Sequence, residues 1–128
     1  MPALDKKIMI VDDDEFLLDM YAVKFRESGF EVDISKGGEE VLEKLRAGLR
    51  PNAILLDIVM PGKDGFEVLR IMKQENLAQN AVIAILTNLG QKEDVEKGIR
   101  LGANDYIVKA HFTPSEVVKR ILELLDKK

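Results

Sequence analysis

"KIMIVDDDEF", residues 7–16, is the stretch on which the fold turns. A short apolar run, rich in β-branched side chains, stops against four acids in a row: Asp12, Asp13, Asp14 and Glu15. A run that is apolar at every position suits a strand covered on both faces, as in a parallel sheet flanked by helices. Adjoining carboxylates repel one another, so four of them directly after a buried strand need a physical reason.

The same grammar repeats along the chain. "FEVDI" (30–34), "NAILLD" (52–57), "AVIAIL" (81–86) and "DYIV" (105–108) complete five strand candidates. "FEVDI" alternates apolar and polar side chains and reads as a half-exposed edge. Helical patterns fill the gaps at about residues 15–28, 39–47, 66–75 and 92–101, with Gly29, Gly48 and Gly102 as stop signals. The fourth helix is weakly apolar, anchored by Val95 and Ile99 and interrupted by Gly98, so it is expected to be a low-stability element. Thr113-Pro114-Ser115-Glu116 is a capping box with proline at the first helical position; Val117, Ile121, Leu124 and Leu125 then form an apolar stripe. Strict strand–helix alternation with short loops predicts an α/β fold, a doubly wound five-stranded parallel sheet with helices on both faces.

Composition narrows the function. The chain has 128 residues, 46% hydrophobic and 33% charged, which fits one domain with a real core. There is no cysteine and a single histidine, His111, so thiolate and multi-histidine metal sites are excluded. The net charge of −4 lacks the basic footprint of a nucleic-acid binder, and no apolar run reaches the about 18 residues of a membrane span. "MPALDKK" carries no signal-peptide pattern, so a cytoplasmic setting is expected.

In an open α/β sheet, ligands bind beyond the carboxyl ends of the strands. Strand one delivers Asp12 and Asp13 to that rim, strand three Asp57, strand four Thr87 and strand five Lys109. Ser35 and Lys36, after the edge strand, look unremarkable. Three converging carboxylates call for a cation, and an all-oxygen donor set favours Mg²⁺, with Mn²⁺ or Ca²⁺ as alternatives, over Zn²⁺. Lys109 and Thr87 suit a phosphate, by charge and by hydrogen bond. Metal, anion-binding groups and a spare carboxylate point to phosphoryl transfer through an aspartyl phosphate.

"IMIVDDDE", "ILLDIVMPGKDG", "ILTN" and "YIVK", in this order and at these spacings, resemble the receiver domain of two-component response regulators over essentially the whole chain. The resemblance implies one receiver domain spanning residues 1–128, with a flavodoxin-like strand order of 2-1-3-4-5. It implies Asp57 as phosphoacceptor, Asp13 as direct metal ligand with Asp12 as its partner, and Val59 as a ligand through its backbone carbonyl. Thr87 matches the hydroxyl that contacts the phosphoryl group, Lys109 the lysine that pairs with it, and Tyr106 the switch aromatic. The implied cofactor is Mg²⁺, with Mn²⁺ possible. The implied partners are a histidine kinase or phosphotransfer protein and a downstream target protein, without direct nucleic-acid or membrane contact; a phosphorylation-dependent dimer is a candidate assembly. The domain is not expected to be an enzyme beyond slow self-dephosphorylation. Helix four, strand five and helix five form the face expected to shift on phosphorylation.

Departures and rivals sharpen these expectations. Ala110 follows Lys109 where most receivers have proline, so a trans peptide is expected. The loop "KAHFTP" looks one residue longer than the family's, and Asn88 stands after Thr87 where the family usually has a small residue. Gly65 is expected to relieve backbone strain near the site. Tyr106 also has a plain packing reading. Asp12-Asp13-Asp14 contains the D-x-D of aspartate-based phosphatases of the haloacid dehalogenase type, but that reading leaves Asp57 and "MPGKDG" unexplained. A flavin-binding flavodoxin would place a phosphate loop where these acids stand. A non-phosphorylated pseudo-receiver, acting only as an interaction module, is the third rival.

Overall fold

Along the first strand, Ile8 and Ile10 pack on one face of the sheet while Met9 and Val11 pack on the other. That alternation, with all four side chains buried, is what a central strand between two helical layers requires. The computed structural model describes residues 5–128. The start of the chain, on which the signal-peptide reading rests, lies outside the described residues.

The elements follow in strict alternation: β1 (Lys7–Val11), α1 (Glu15–Glu27), β2 (Glu31–Ser35), α2 (Gly38–Arg46), β3 (Ala53–Leu56) and α3 (Gly65–Gln74). Next come β4 (Val82–Thr87), α4 (Lys92–Arg100), β5 (Asp105–Val108), a 3-10 turn (Lys109–His111) and α5 (Pro114–Asp126). All strand pairs are parallel and the order is β2-β1-β3-β4-β5, as expected from the resemblance. Helices α1 and α5 cover one face through Leu18, Phe25, Val117 and Ile121. Helices α2 and α3 cover the other through Val41, Leu42, Leu69 and Met72. Among the described residues, no helix is long and apolar enough to cross a membrane.

Two local expectations shift. The edge strand begins at Glu31 rather than Phe30, because Phe30 turns inward and packs edge-on against Phe25, ring centroids 5.2 Å apart. Ser35 therefore becomes the last residue of β2. Helix α4 is held differently from its apolar pattern: Ile99 is exposed, Val95 only half-buried, and Gly98 is the buried residue. A Cβ at Gly98 would lie 2.5 Å from Ile85 Cδ1 and 3.1 Å from the Tyr106 ring. Helix α4 thus rests its backbone on β4 and β5, and the glycine is the contact rather than a defect in the helix.

The capping box of α5 forms as the sequence implies, and side-chain caps also start α1 and α3. Asp14 caps α1, its carboxylate accepting the N–H groups of Phe16 and Leu17. Asp64 caps α3 through the Glu67 N–H, and Thr113 with Glu116 closes the capping box of α5. At Gly65 the structure corrects the physical reason. Its φ is not in the left-handed region. It is needed for space, because a Cβ there would lie 2.8 Å from the Ile58 Cα, inside the loop that follows Asp57. Backbone cannot yield as a flexible side chain can. Gly65→Ala is therefore expected to lower stability by about 1–3 kcal/mol despite alanine's better helix propensity, and urea unfolding measures it.

Candidate functional site

Registry brings the acids together. Val11 of β1 lies opposite Leu56 of β3, so the next residues, Asp12 and Asp57, leave the sheet side by side. This is the crevice where the chain reverses its direction of winding, with β2 on one side of β1 and β3 on the other. The Asp57 N–H still donates to the Val11 carbonyl at 3.1 Å, which fixes the start of its loop.

Asp12, Asp13 and Asp57 each offer a carboxylate oxygen within 4.8 Å of the others. Asp12 and Asp57 are buried, at 3% and 6% exposure, while Asp13 faces solvent. The Lys109 ammonium sits between the two buried acids, 2.8 Å from Asp12 Oδ2 and 3.0 Å from Asp57 Oδ2. The remaining oxygens meet backbone donors. Asp12 Oδ1 accepts the Asp14 N–H at 2.9 Å, and Asp57 Oδ1 accepts those of Ile58 and Val59 at 2.7 and 3.3 Å. Burial alone would lower the Lys109 pKa. The hydrogen bonds and negative charges of Asp12 and Asp57 outweigh it and hold the ammonium above the ordinary lysine value.

The cluster fits a hard divalent cation: three carboxylates converge, two on buried backbone, with no nitrogen or sulfur donor in the group. Val59 stands exposed in the loop just after Asp57, its side chain away from the core. Lys109 is delivered by a trans Lys109–Ala110 peptide into the 3-10 turn, so the unusual alanine leaves its reach to both acids intact. His111 is exposed.

Thr87 and Tyr106 form a second group. Thr87 is fully buried at the end of β4, and its hydroxyl accepts the Leu89 N–H at 3.4 Å. The Tyr106 hydroxyl donates to the Leu89 carbonyl. Burial first, then the charges of Asp94 and Asp57, push the Tyr106 pKa up to about 12, so the phenol keeps its proton and remains a donor. Leu89 therefore links the two residues, a role its apolar side chain does not announce. Tyr106 has a polar partner in addition to its packing against Gly98.

Sequence reasoning also missed Ser35. It is completely buried, and its carbonyl accepts the Asp12 N–H at 3.1 Å. The available signal was positional: β2 had to neighbour the strand carrying the acids, whatever residue ended it.

Known proteins resemble this chain in sequence and in fold. The response regulator receiver domain family matches residues 8–122. The DNA-binding response regulator MtrA of Mycolicibacterium smegmatis is 34% identical over 121 residues, covering 94% of this chain and 51% of MtrA. The chain thus spans about half the length of the curated relatives it matches. A CheY-like receiver domain protein from Methanospirillum hungatei superposes with a TM-score of 0.87 at 30% identity, over 95% of this chain and 94% of that one. The BeF3-activated DrrB receiver domain superposes with a TM-score of 0.83 at 29% identity, over 96% and 99% of the two chains. DrrB is an OmpR/PhoB homologue of Thermotoga maritima.

Among the described residues, Lys109 is the one cation that bridges the two buried carboxylates. Without a divalent cation, Lys109→Met is expected to destabilise the fold by about 3 kcal/mol, since it leaves both acids buried without a counter-charge. Urea unfolding in the presence of a chelator measures the loss.

Proposed function

The chain belongs to the response regulator receiver family of two-component systems, and from that premise we propose that it accepts a phosphoryl group on Asp57. The observation that carries the proposal is the convergence of Asp12, Asp13 and Asp57 with the Lys109 ammonium among them.

The donor proposed is a phosphohistidine on a histidine kinase or phosphotransfer protein. Asp57 Oδ2 attacks the phosphorus of a phosphohistidine protonated on its other ring nitrogen; the O–P bond forms, the P–N bond breaks with its electron pair on the ring, and neutral imidazole leaves with the proton it already carried. Asp57 Oδ1 is already held by the Ile58 and Val59 amides, which orients the carboxylate for attack through its other oxygen. Lys109, poised on Asp57 Oδ2, pairs with the negative charge of the incoming group. Asp13, Asp57 and the Val59 carbonyl, supported by Asp12, would hold the cation, Mg²⁺ or Mn²⁺. Bound there, the cation supplies positive charge to the phosphoryl oxygens. Reversal to water, by attack on phosphorus and release of Asp57, gives slow self-dephosphorylation rather than turnover of an external substrate.

The output proposed is a change in the α4–β5–α5 face, transmitted from Thr87 through Leu89 to Tyr106. MtrA is named a DNA-binding regulator, but only half of it matches this chain. The net charge of −4 favours a protein contact over DNA as the output of the domain itself, whether as a target protein, another domain or a phosphorylation-dependent second copy.

With acetyl phosphate and Mg²⁺, the protein is expected to gain one acid-labile phosphoryl group on Asp57, read by mass spectrometry. Asp57→Ala and chelation should each abolish it. Labelling of Asp12 instead would support the phosphatase reading, and no labelling at all would support the inert module. Beryllofluoride binding is expected to change hydrogen exchange in α4; an α4 that exchanges identically with and without it would refute the switch.

A further inference from the structure

The corner between β2 and α2 contributes no acid, yet both halves of the acid cluster lean on it. On one side, the Ser35 carbonyl holds the Asp12 N–H at 3.1 Å. On the other, α2 begins hard against the loop that follows Asp57. A Cβ on Gly38 would meet Val68 Cγ2 at 2.6 Å and both the Cβ and the carbonyl oxygen of Lys63 at 3.0 Å. Lys63, in that loop, also pairs with Glu39 at 2.9 Å. The corner therefore touches the Asp12 turn through a hydrogen bond and the Asp57 loop through close packing.

One side chain holds the corner itself. Lys44 of α2 turns back toward the end of β2, where its ammonium donates to Ile34 O at 2.6 Å, Ser35 Oγ at 3.0 Å and Asp33 Oδ2 at 3.0 Å. Glu40 lies 3.2 Å away and adds a second negative charge beside the ammonium. An ion pair serving only to stabilise a surface would have no need to bind a strand-end carbonyl and a fully buried hydroxyl. These bonds fix residues 34 and 35, and Ser35 in turn fixes Asp12.

We propose that Lys44 is a positioning residue for the divalent-cation site: by clamping the end of β2 it sets the Ser35 carbonyl that holds Asp12, and it seats the first turn of α2 against the Asp57 loop. The inference rests on the cation site proposed above. Groups that orient metal ligands from behind commonly change affinity about 10–100-fold when removed.

The test is Mg²⁺ binding by calorimetry on the full chain, beside hydrogen exchange of the Asp12 amide without metal. Lys44→Met keeps most of the apolar stem and removes the charge. It is expected to weaken Mg²⁺ binding about tenfold and to speed Asp12 exchange. Arg46→Met is the control, because Arg46 on the same helix pairs with Glu75 through two bonds of 2.8 and 2.7 Å that do not involve β2. It should change stability without changing either readout. Lys44→Met binding Mg²⁺ within twofold of wild type overturns the proposal, as does equal weakening by Arg46→Met. If Lys44→Met does not fold, Ser35→Ala removes one of the three groups near the end of β2 that Lys44 holds, the one on the residue whose carbonyl meets Asp12. A loss in the same direction then supports the proposal and an unchanged Kd overturns it. A wild-type protein that fails to bind Mg²⁺ removes the cation site itself, an outcome distinct from normal binding by both wild type and Lys44→Met.

Discussion

Repulsion among three carboxylates is the constraint around which this molecule is arranged. Oxygens of Asp12, Asp13 and Asp57 lie within 4.8 Å of one another. Two like charges about 4 Å apart at an effective dielectric of 20 oppose each other by about 4 kcal/mol. A fold only marginally stable overall cannot leave such a cluster without compensation. Lys109 reaches both buried acids, and the amides of Asp14, Ile58 and Val59 take their remaining oxygens. Among the described residues, no buried side-chain nitrogen or oxygen lacks a partner.

The sheet supplies the force that keeps the acids together. Burying one large apolar side chain contributes about 1.5–3 kcal/mol, and β1 and β3 bury theirs on both faces. Their registry, Val11 opposite Leu56, leaves Asp12 and Asp57 no route out except through the same crevice. Separating the acids would require slipping a central strand, which would turn its alternating side chains toward the wrong helical layers. The core thus outweighs the repulsion, which is confined to the acids at the carboxyl rim. Gly65 belongs to the same arrangement, since the Asp57 loop must double back closely enough that no Cβ fits there.

What the sequence made legible follows from which atoms act. Under the proposed function, Asp57 and Lys109 act through charged side chains placed directly after apolar runs, so residue type and position reveal them. The acid cluster was readable for the same reason, whereas the strand order came only from the resemblance carried by a motif set that spans the chain. Ser35 meets Asp12 through its backbone carbonyl and Leu89 meets Thr87 and Tyr106 through its backbone N–H and carbonyl, groups that nearly every residue has; only the folded neighbourhood makes these two particular. Val95 and Ile99 misled because apolar spacing was taken as the sign of a buried face. The buried residue of α4 is Gly98, whose missing side chain lets the helix approach Ile85 and Tyr106. Phe30 shifted the edge strand by one residue because its ring found Phe25, a tertiary contact that local alternation cannot show.

The charge of the site also bears on the order of events. Three carboxylates against one ammonium leave a formal deficit of two positive charges. A divalent cation matches that deficit, whereas a phosphoryl group arriving alone would deepen it. Under the proposed function, the metal therefore belongs before the phosphoryl group, and Lys109 has two successive tasks. Without metal it is the counter-ion that lets Asp12 and Asp57 stay buried. Once a divalent cation shares that burden, the lysine is free to answer the charge brought to Asp57. A side chain held by two acids at 2.8 and 3.0 Å is well placed for such an exchange, because releasing one partner does not leave its ammonium unpaired.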